Sequence, residues 1–129
     1  MTGAASARGS GPRHHQRLGA RGEQRAAHWY AERGYQIVAR NWRCREGEID
    51  LVVQRGPELV FCEVKTRTSD RFGVPAEAVT PRKQRRLRTL AARFLAEARA
   101  NDGRGLGGRI RFDVVAVMGD HVDVTEAAF

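Results

Sequence analysis

The residues of this chain best suited to chemistry are Asp50, Glu63 and Lys65. They fall in Gly47-Glu48-Ile49-Asp50-Leu51 and Phe61-Cys62-Glu63-Val64-Lys65, stretches that otherwise read as β-strands. Side chains alternate along a strand. In the first stretch Ile49, Leu51 and Val53 therefore face one way, and Glu48, Asp50 and Val52 the other. In the second, Val60, Cys62 and Val64 oppose Phe61, Glu63 and Lys65. Each strand thus has an apolar face and a face carrying charge.

A hairpin centred on Gly56-Pro57 joins the two charged faces. It sets Asp50 opposite Glu63 and Glu48 opposite Lys65, with opposed Cβ atoms about 4.5–5.5 Å apart. Pro57 cannot take the positive φ of a type I′ turn. A four-residue loop, Arg55 to Glu58, keeps the same register. A three-residue loop would put the carboxylates on opposite faces. Paired carboxylates repel, and a divalent cation relieves the conflict. Mg²⁺ is commonly held by one or two carboxylates plus water and phosphate oxygens. Such an ion assists displacement at phosphorus. Lys65, beside Glu63, has the reach to orient or deprotonate the attacking water and to stabilise developing charge. The plainer alternative is a half-exposed sheet on which Lys65 neutralises Glu48 or Glu63.

The wider composition bears on the choice. The chain has 129 residues, a formal net charge of +8 and 23 basic residues against 15 acidic ones. That balance attracts polyanions, nucleic acid first and anionic membrane second. Only Lys65 and Lys83 are lysines, and every other basic residue is arginine. A retained lysine suggests a place where a guanidinium would not serve, since an ammonium is compact and can lose its proton. Arg82, Lys83, Arg85, Arg86 and Arg88 crowd the start of a helix, where cations oppose the macrodipole but suit phosphate contact. Arg40, Trp42, Arg43 and Arg45 interleave charge with an aromatic, which suits backbone tracking; the blander reading makes Trp42 core. Lys83 and Gln84, on the same helix, are expected to reach toward the carboxylates. Asp113 interrupts an apolar strand, either to support the site or to bond a neighbouring Arg, and a structural role is the expectation.

Other classes are excluded. No apolar run approaches the roughly 18 residues needed to span a bilayer. The N-terminus lacks the apolar segment of a secretory signal. Cys44 and Cys62 make no disulfide framework, so a cytoplasmic location is expected. His14, His15, His28 and His121 lack zinc-ligand spacing with them. The run from Gly103 to Gly108 lacks the G-K-[S/T] of a phosphate loop.

The elements that position these residues read in the order α-β-β-β-α-β-β. Residues 1–14 form a disordered basic tail, and 15–129 a single domain. A helix spans about Gln16 to Arg33 and stops at Gly34. Strands follow over about Tyr35–Trp42, Glu48–Gln54 and Leu59–Thr66, then a polar loop to Pro75. Thr80 caps a second helix and Pro81 opens it. Leu87, Leu90, Ala91, Phe94, Leu95 and Ala98 make its core stripe. Strands over about Ile110–Met118 and Val122–Thr125 close the domain around Gly119-Asp120.

Gly22-Glu23, Gly34-Tyr35, Asn41-Trp42-Arg43, the two strand blocks, Phe72-Gly73, Lys83, Leu87 and Arg111-Phe112-Asp113 together resemble the small bacterial YraN-type family of proposed endonucleases. The resemblance runs from about Leu18 to Met118. That family is similar to the PD-(D/E)xK, or restriction-endonuclease-like, superfamily and to archaeal-type Holliday-junction resolvases. Ile49 stands where the superfamily often has Pro. The resemblance implies an α/β fold, a mixed sheet flanked by helices. It implies Asp50 and Glu63 as ligands of Mg²⁺ or Mn²⁺, Lys65 as the catalytic lysine, and Glu23 as the acidic residue completing the site. The Val64 carbonyl adds a ligand in this scheme. Arg43, Arg82, Lys83 and Arg86 are then the expected nucleic-acid contacts, and DNA, structured or branched, the expected partner. Junction-resolving relatives are dimers, so a homodimer is an open expectation, and no membrane partner is expected. The alternatives are a non-catalytic nucleic-acid-binding protein that keeps the fold, and an adaptor docking an acidic protein.

Overall fold

The computed structural model describes residues 14–67, 79–102 and 108–129. Its elements are α1 (His14–Glu32), β1 (Gln36–Cys44), β2 (Gly47–Arg55), β3 (Glu58–Thr66), α2 (Pro81–Asp102), β4 (Arg109–Met118) and β5 (His121–Thr125). The element order is the expected one. The tail assigned to residues 1–14 lies outside the described residues except for His14, which opens α1. The polar loop before Pro75 falls outside them from residue 68 on, as do Phe72-Gly73 and residues 103–107.

The five strands form one sheet in the order β1-β2-β3-β4-β5. Its pairs are antiparallel except β3 with β4, which are parallel. A parallel pair needs a long crossover, and α2 supplies it. The two helices cover opposite faces. Leu87, Leu90, Ala91 and Phe94 of α2 pack on Val52, Leu59, Phe61, Phe112 and Val114. Ala26, Ala27 and Tyr30 of α1 pack on Leu51, Val53, Val60, Cys62, Val115 and Val117. Both faces are buried, so β3 and β4 read as nearly continuous apolar runs.

Local chemistry sets the ends. The Tyr35 amide donates to the Tyr30 carbonyl (3.1 Å) and the Gly34 amide to Ala31 (3.1 Å), a Schellman closure of α1 with Gly34 at φ +88°. At α2, the Thr80 hydroxyl accepts from the Lys83 amide at 3.2 Å and the Thr80 carbonyl from Gln84 at 2.9 Å. The β2–β3 register is the expected one, running from Arg55↔Glu58 to Leu51↔Cys62. The turn is tighter than a four-residue loop. Gly56 alone takes positive φ, +58°, and Pro57 follows it, the signs of a type II′ turn.

One expectation is corrected. Ile49 does not share a face with Leu51 and Val53; it packs with Val52 on the α2 side. The alternation breaks beside it. The β1–β2 pairing runs Arg40↔Leu51 and then Trp42↔Ile49, and between them Asn41 has φ +50°. Asn tolerates this left-handed backbone better than most residues. The kink lies next to Asp50.

Asp113 is structural. Its buried carboxylate accepts from the Tyr30 hydroxyl (2.6 Å), from Arg111 Nε (2.9 Å) and from the Ala127 amide (3.0 Å). Arg111 also reaches Glu58 and the Tyr35 hydroxyl, both at 3.0 Å. This network ties α1, β3, β4 and the C-terminal residues together.

Candidate active site

Asp50 stands where the β2–β3 ladder stops. Its Oδ2 accepts a 2.8 Å hydrogen bond from the Val64 amide, which the ladder would otherwise have used. The carboxylate is therefore fixed in direction. Burial pushes its pKa up to about 7; repulsion from Glu63 adds to this, the Val64 bond opposes it, and Glu23 and Glu48 contribute further repulsion. Carboxylates from α1, β2 and β3 thus converge on one place.

Glu63 points into the same cleft and pairs with Lys65 Nζ at 3.0 Å, both side chains about 19% exposed. Lys65 therefore pairs with its neighbour on β3, not with Glu48 across the hairpin. Glu48 pairs instead with Arg43 at 3.7 Å.

Glu23 arrives from α1. Its neighbour Gly22 lies flat against Thr66, where a Cβ would run into the threonine hydroxyl. That close approach brings the helix down on the end of β3. Burial raises the Glu23 pKa, a hydrogen bond with Asn41 opposes the rise, and Glu48 adds to it. Asn41 is a site-supporting residue that the strand reading passed over. The available signal was an Asn inside an apparent strand, a residue type enriched at positive φ.

From the other side, α2 closes a cleft of about 250 Å³ lined by Glu48, Asp50, Glu63, Lys83, Arg86, Leu87 and Leu90. Gly47, at φ +148°, lies 3.5 Å from Leu90 and 3.7 Å from Arg86 as measured from an added Cβ, so the start of β2 runs close under the helix. The neighbouring Lys65 ammonium lowers the Lys83 pKa, with some burial behind it. The expected nucleic-acid contacts therefore divide. Lys83 and Arg86 line the cleft, Arg43 sits at its rim through Glu48, and Arg82 is exposed on α2 outside the lining. Gln84 does not turn inward; it donates to the Val79 carbonyl at 3.1 Å. Trp42 is a packing residue, edge-on to Phe94 and hydrogen-bonded to Glu97 at 2.9 Å.

The donors here are hard oxygens, the type that suits Mg²⁺ or Mn²⁺. Asp50 is held in place and electrostatically strained, which fits a cation. Among the described residues, no three His, Cys, Asp or Glu side chains form a ready-made metal cage. Two carboxylates with water and substrate oxygens make a smaller set, one that Mg²⁺ accepts. Cys62 is fully buried and its thiol is pushed up by burial, so it serves packing.

A larger cavity, about 530 Å³, lies along α1 and the β4–β5 turn, lined by Arg25, His28, Trp29 and His121 among others. It brings together His28 and His121, which lie far apart in sequence. His28 pairs with Glu32 at 3.1 Å and Arg25 with Asp120 at 2.7 Å. No helix among the described residues is long and apolar enough to cross a membrane.

The fold and site define a mixed α/β protein with an open five-stranded sheet, one helix on each face, and a carboxylate–lysine cleft under α2. The chain belongs to the uncharacterised protein family UPF0102, whose profile matches residues 22–117. A UPF0102 protein of Rhodococcus opacus (strain B4) is 50% identical over 108 residues, covering 84% of this chain and 87% of its own length. One from Beutenbergia cavernae is 52% identical over 101 residues, 78% of this chain and 81% of its own. One from Moorella thermoacetica is 49% identical over 120 residues, 88% and 95% respectively.

Proposed function

We propose that this chain is a Mg²⁺- or Mn²⁺-dependent endonuclease that hydrolyses DNA phosphodiester bonds, on a restriction-endonuclease-like fold. The observation that carries the reading is the convergence of Asp50, Glu63 and Lys83 on one cleft, with Lys65 paired to Glu63 at 3.0 Å. A mixed sheet with a crossover helix between its parallel strands is consistent with that fold. Asp50 and Glu63 hold the metal, with the Val64 carbonyl as a further oxygen donor. When bound, the ion supplies Lewis acidity and an activated water. Lys65, steadied by Glu63, orients the attacking water and offsets charge growing on the phosphoryl oxygens. Glu23 and Asn41 complete the wall behind Asp50. The net charge of +8 brings the polyanion to the cleft. A cytoplasmic location suits the substrate.

One observation favours a second reading, a nucleic-acid-binding protein without catalysis. The described residues lack a complete three-ligand cage.

A cleavage panel separates the two. Linear duplex, single strand, flap and four-way junction are incubated with Mg²⁺ or Mn²⁺, with Asp50→Ala alongside. The nuclease reading expects metal-dependent cleavage by the wild type alone. Salt-dependent binding with no cleavage of any substrate transfers the weight to the second reading.

A further inference from the structure

We propose that Lys83 is a second phosphate-gripping ammonium of this site, forming with Lys65 a two-lysine clamp for one phosphoryl group. The inference rests on the reading of the cleft as a phosphodiester site and adds to it a binding residue from α2. Of 23 basic residues only Lys65 and Lys83 are lysines, and the fold sets both near Glu63: Lys65 at 3.0 Å from it, and Lys83 lining the same cleft. They come from elements far apart in sequence, the end of β3 and the first turn of α2.

The arrangement needs a reason. Two ammonium groups gathered near one carboxylate repel each other, and neither offers the other an acceptor while protonated. Lys65 spends one donor on Glu63. Among the described residues, Lys83 makes no ion pair within 4 Å, although it feels the charge of Glu63. A phosphoryl group resolves the arrangement, because its non-bridging oxygens accept from both ammonium groups at once. The helix N-terminus is not the anchor, since Thr80 already takes the Lys83 and Gln84 amides. The cleft, about 250 Å³, is also shared with Arg86, Leu87 and Leu90. A planar guanidinium at position 83 has to fit beside Lys65 in that space, whereas an ammonium fits as a point charge. Lys83 is thus set apart from its arginine neighbours, which track the backbone by charge alone.

The scarcity of lysine makes the test direct. The full chain labelled with ¹³C at lysine Cε gives one signal each from Lys65 and Lys83. Inorganic phosphate is titrated in without divalent metal, against chloride at matched ionic strength. Both signals are expected to move along one binding curve. Lys83→Arg and Lys83→Gln are expected to weaken the phosphate-driven shift of Lys65 by at least about tenfold. Arg99→Gln, in the last turn of α2 and outside the cleft lining, is expected to leave it within about threefold. The clamp is overturned if only Lys65 moves, if neither moves, or if Lys83→Arg binds phosphate like the wild type. The readout is independent of cleavage. A wild type that cleaves no DNA while both signals shift loses the nuclease reading and keeps the clamp. A wild type that cleaves while the lysines ignore phosphate does the reverse.

Discussion

Asp50 accepts from the Val64 amide through one oxygen and is repelled by the charges of Glu63, Glu23 and Glu48. Its pKa is pushed from 3.8 up to about 7, chiefly by burial. The native state thus holds a proton that the unfolded chain has already released. The stability this provides is complete below the unfolded value and is lost as pH rises through the folded one. Asp50→Asn removes that loss and keeps an oxygen for Val64. Urea unfolding is expected to find the variant more stable than wild type by roughly 2 kcal/mol at pH 8, and about equal at pH 4. A variant less stable at pH 8 contradicts the electrostatic account. Added Mn²⁺ belongs to the same argument. It raises the Tm of the wild type by several degrees or so at saturating concentration and leaves Asp50→Asn unmoved. At this scale much was legible in the sequence. Charges on the inner face of two apolar strands stood out, and alternation plus turn chemistry aligned Asp50 with Glu63. The partner of Lys65 was not legible, because a long side chain chooses among neighbours by tertiary packing. Arg82 lies exposed outside the cleft lining, at the edge of the helix face that carries Lys83 and Arg86.

Elements bring these residues together through close approaches that only small residues allow. Gly22 sets α1 against Thr66 and so delivers Glu23 and the Asn41 contact. Alanine is ordinarily the better helix former. Here Gly22→Ala is expected to cost roughly 1–3 kcal/mol, because the stiff, β-branched Thr66 cannot easily yield. Chemical denaturation measures this, and Thr66→Ala in the same chain is expected to relieve most of it. An alanine variant as stable as wild type means that α1 is not held by this contact. The caps and periodicities were readable from residues: Thr80 with Pro81, Gly34, and the stripe from Leu87 to Phe94 are all local signals. The kink at Asn41 was not. It reverses the facing of Ile49 relative to Leu51, and a strand pattern carries no mark of where a backbone leaves the extended region. The hairpin turn lay between these cases. Pro57 excluded one turn type, while the type II′ turn that Gly56 permits was passed over.

The whole molecule joins a chain of net charge +8 to a cleft in which carboxylates and lysines meet under a basic helix. On the proposed reading, the charge would draw DNA to the protein and the cleft would act on it. Affinity is therefore expected to be steeply salt-dependent. Replacing Lys83 and Arg86 together with Gln is expected to reduce the slope of log affinity against log salt by about 1–2, as for that many lost phosphate contacts. An unchanged slope removes α2 from the DNA-binding surface. The Asp113 network ties α1 to the sheet and to the C-terminal residues through Tyr30, Arg111 and Ala127. The most direct test of the central claim is one paired measurement on wild type and Lys65→Ala. DNA affinity and cleavage rate are taken on the same substrate at the same Mn²⁺ concentration. The account predicts a rate lower by at least about a hundredfold, with affinity within about threefold, since many contacts share the binding. Equal rates for the two proteins would contradict it.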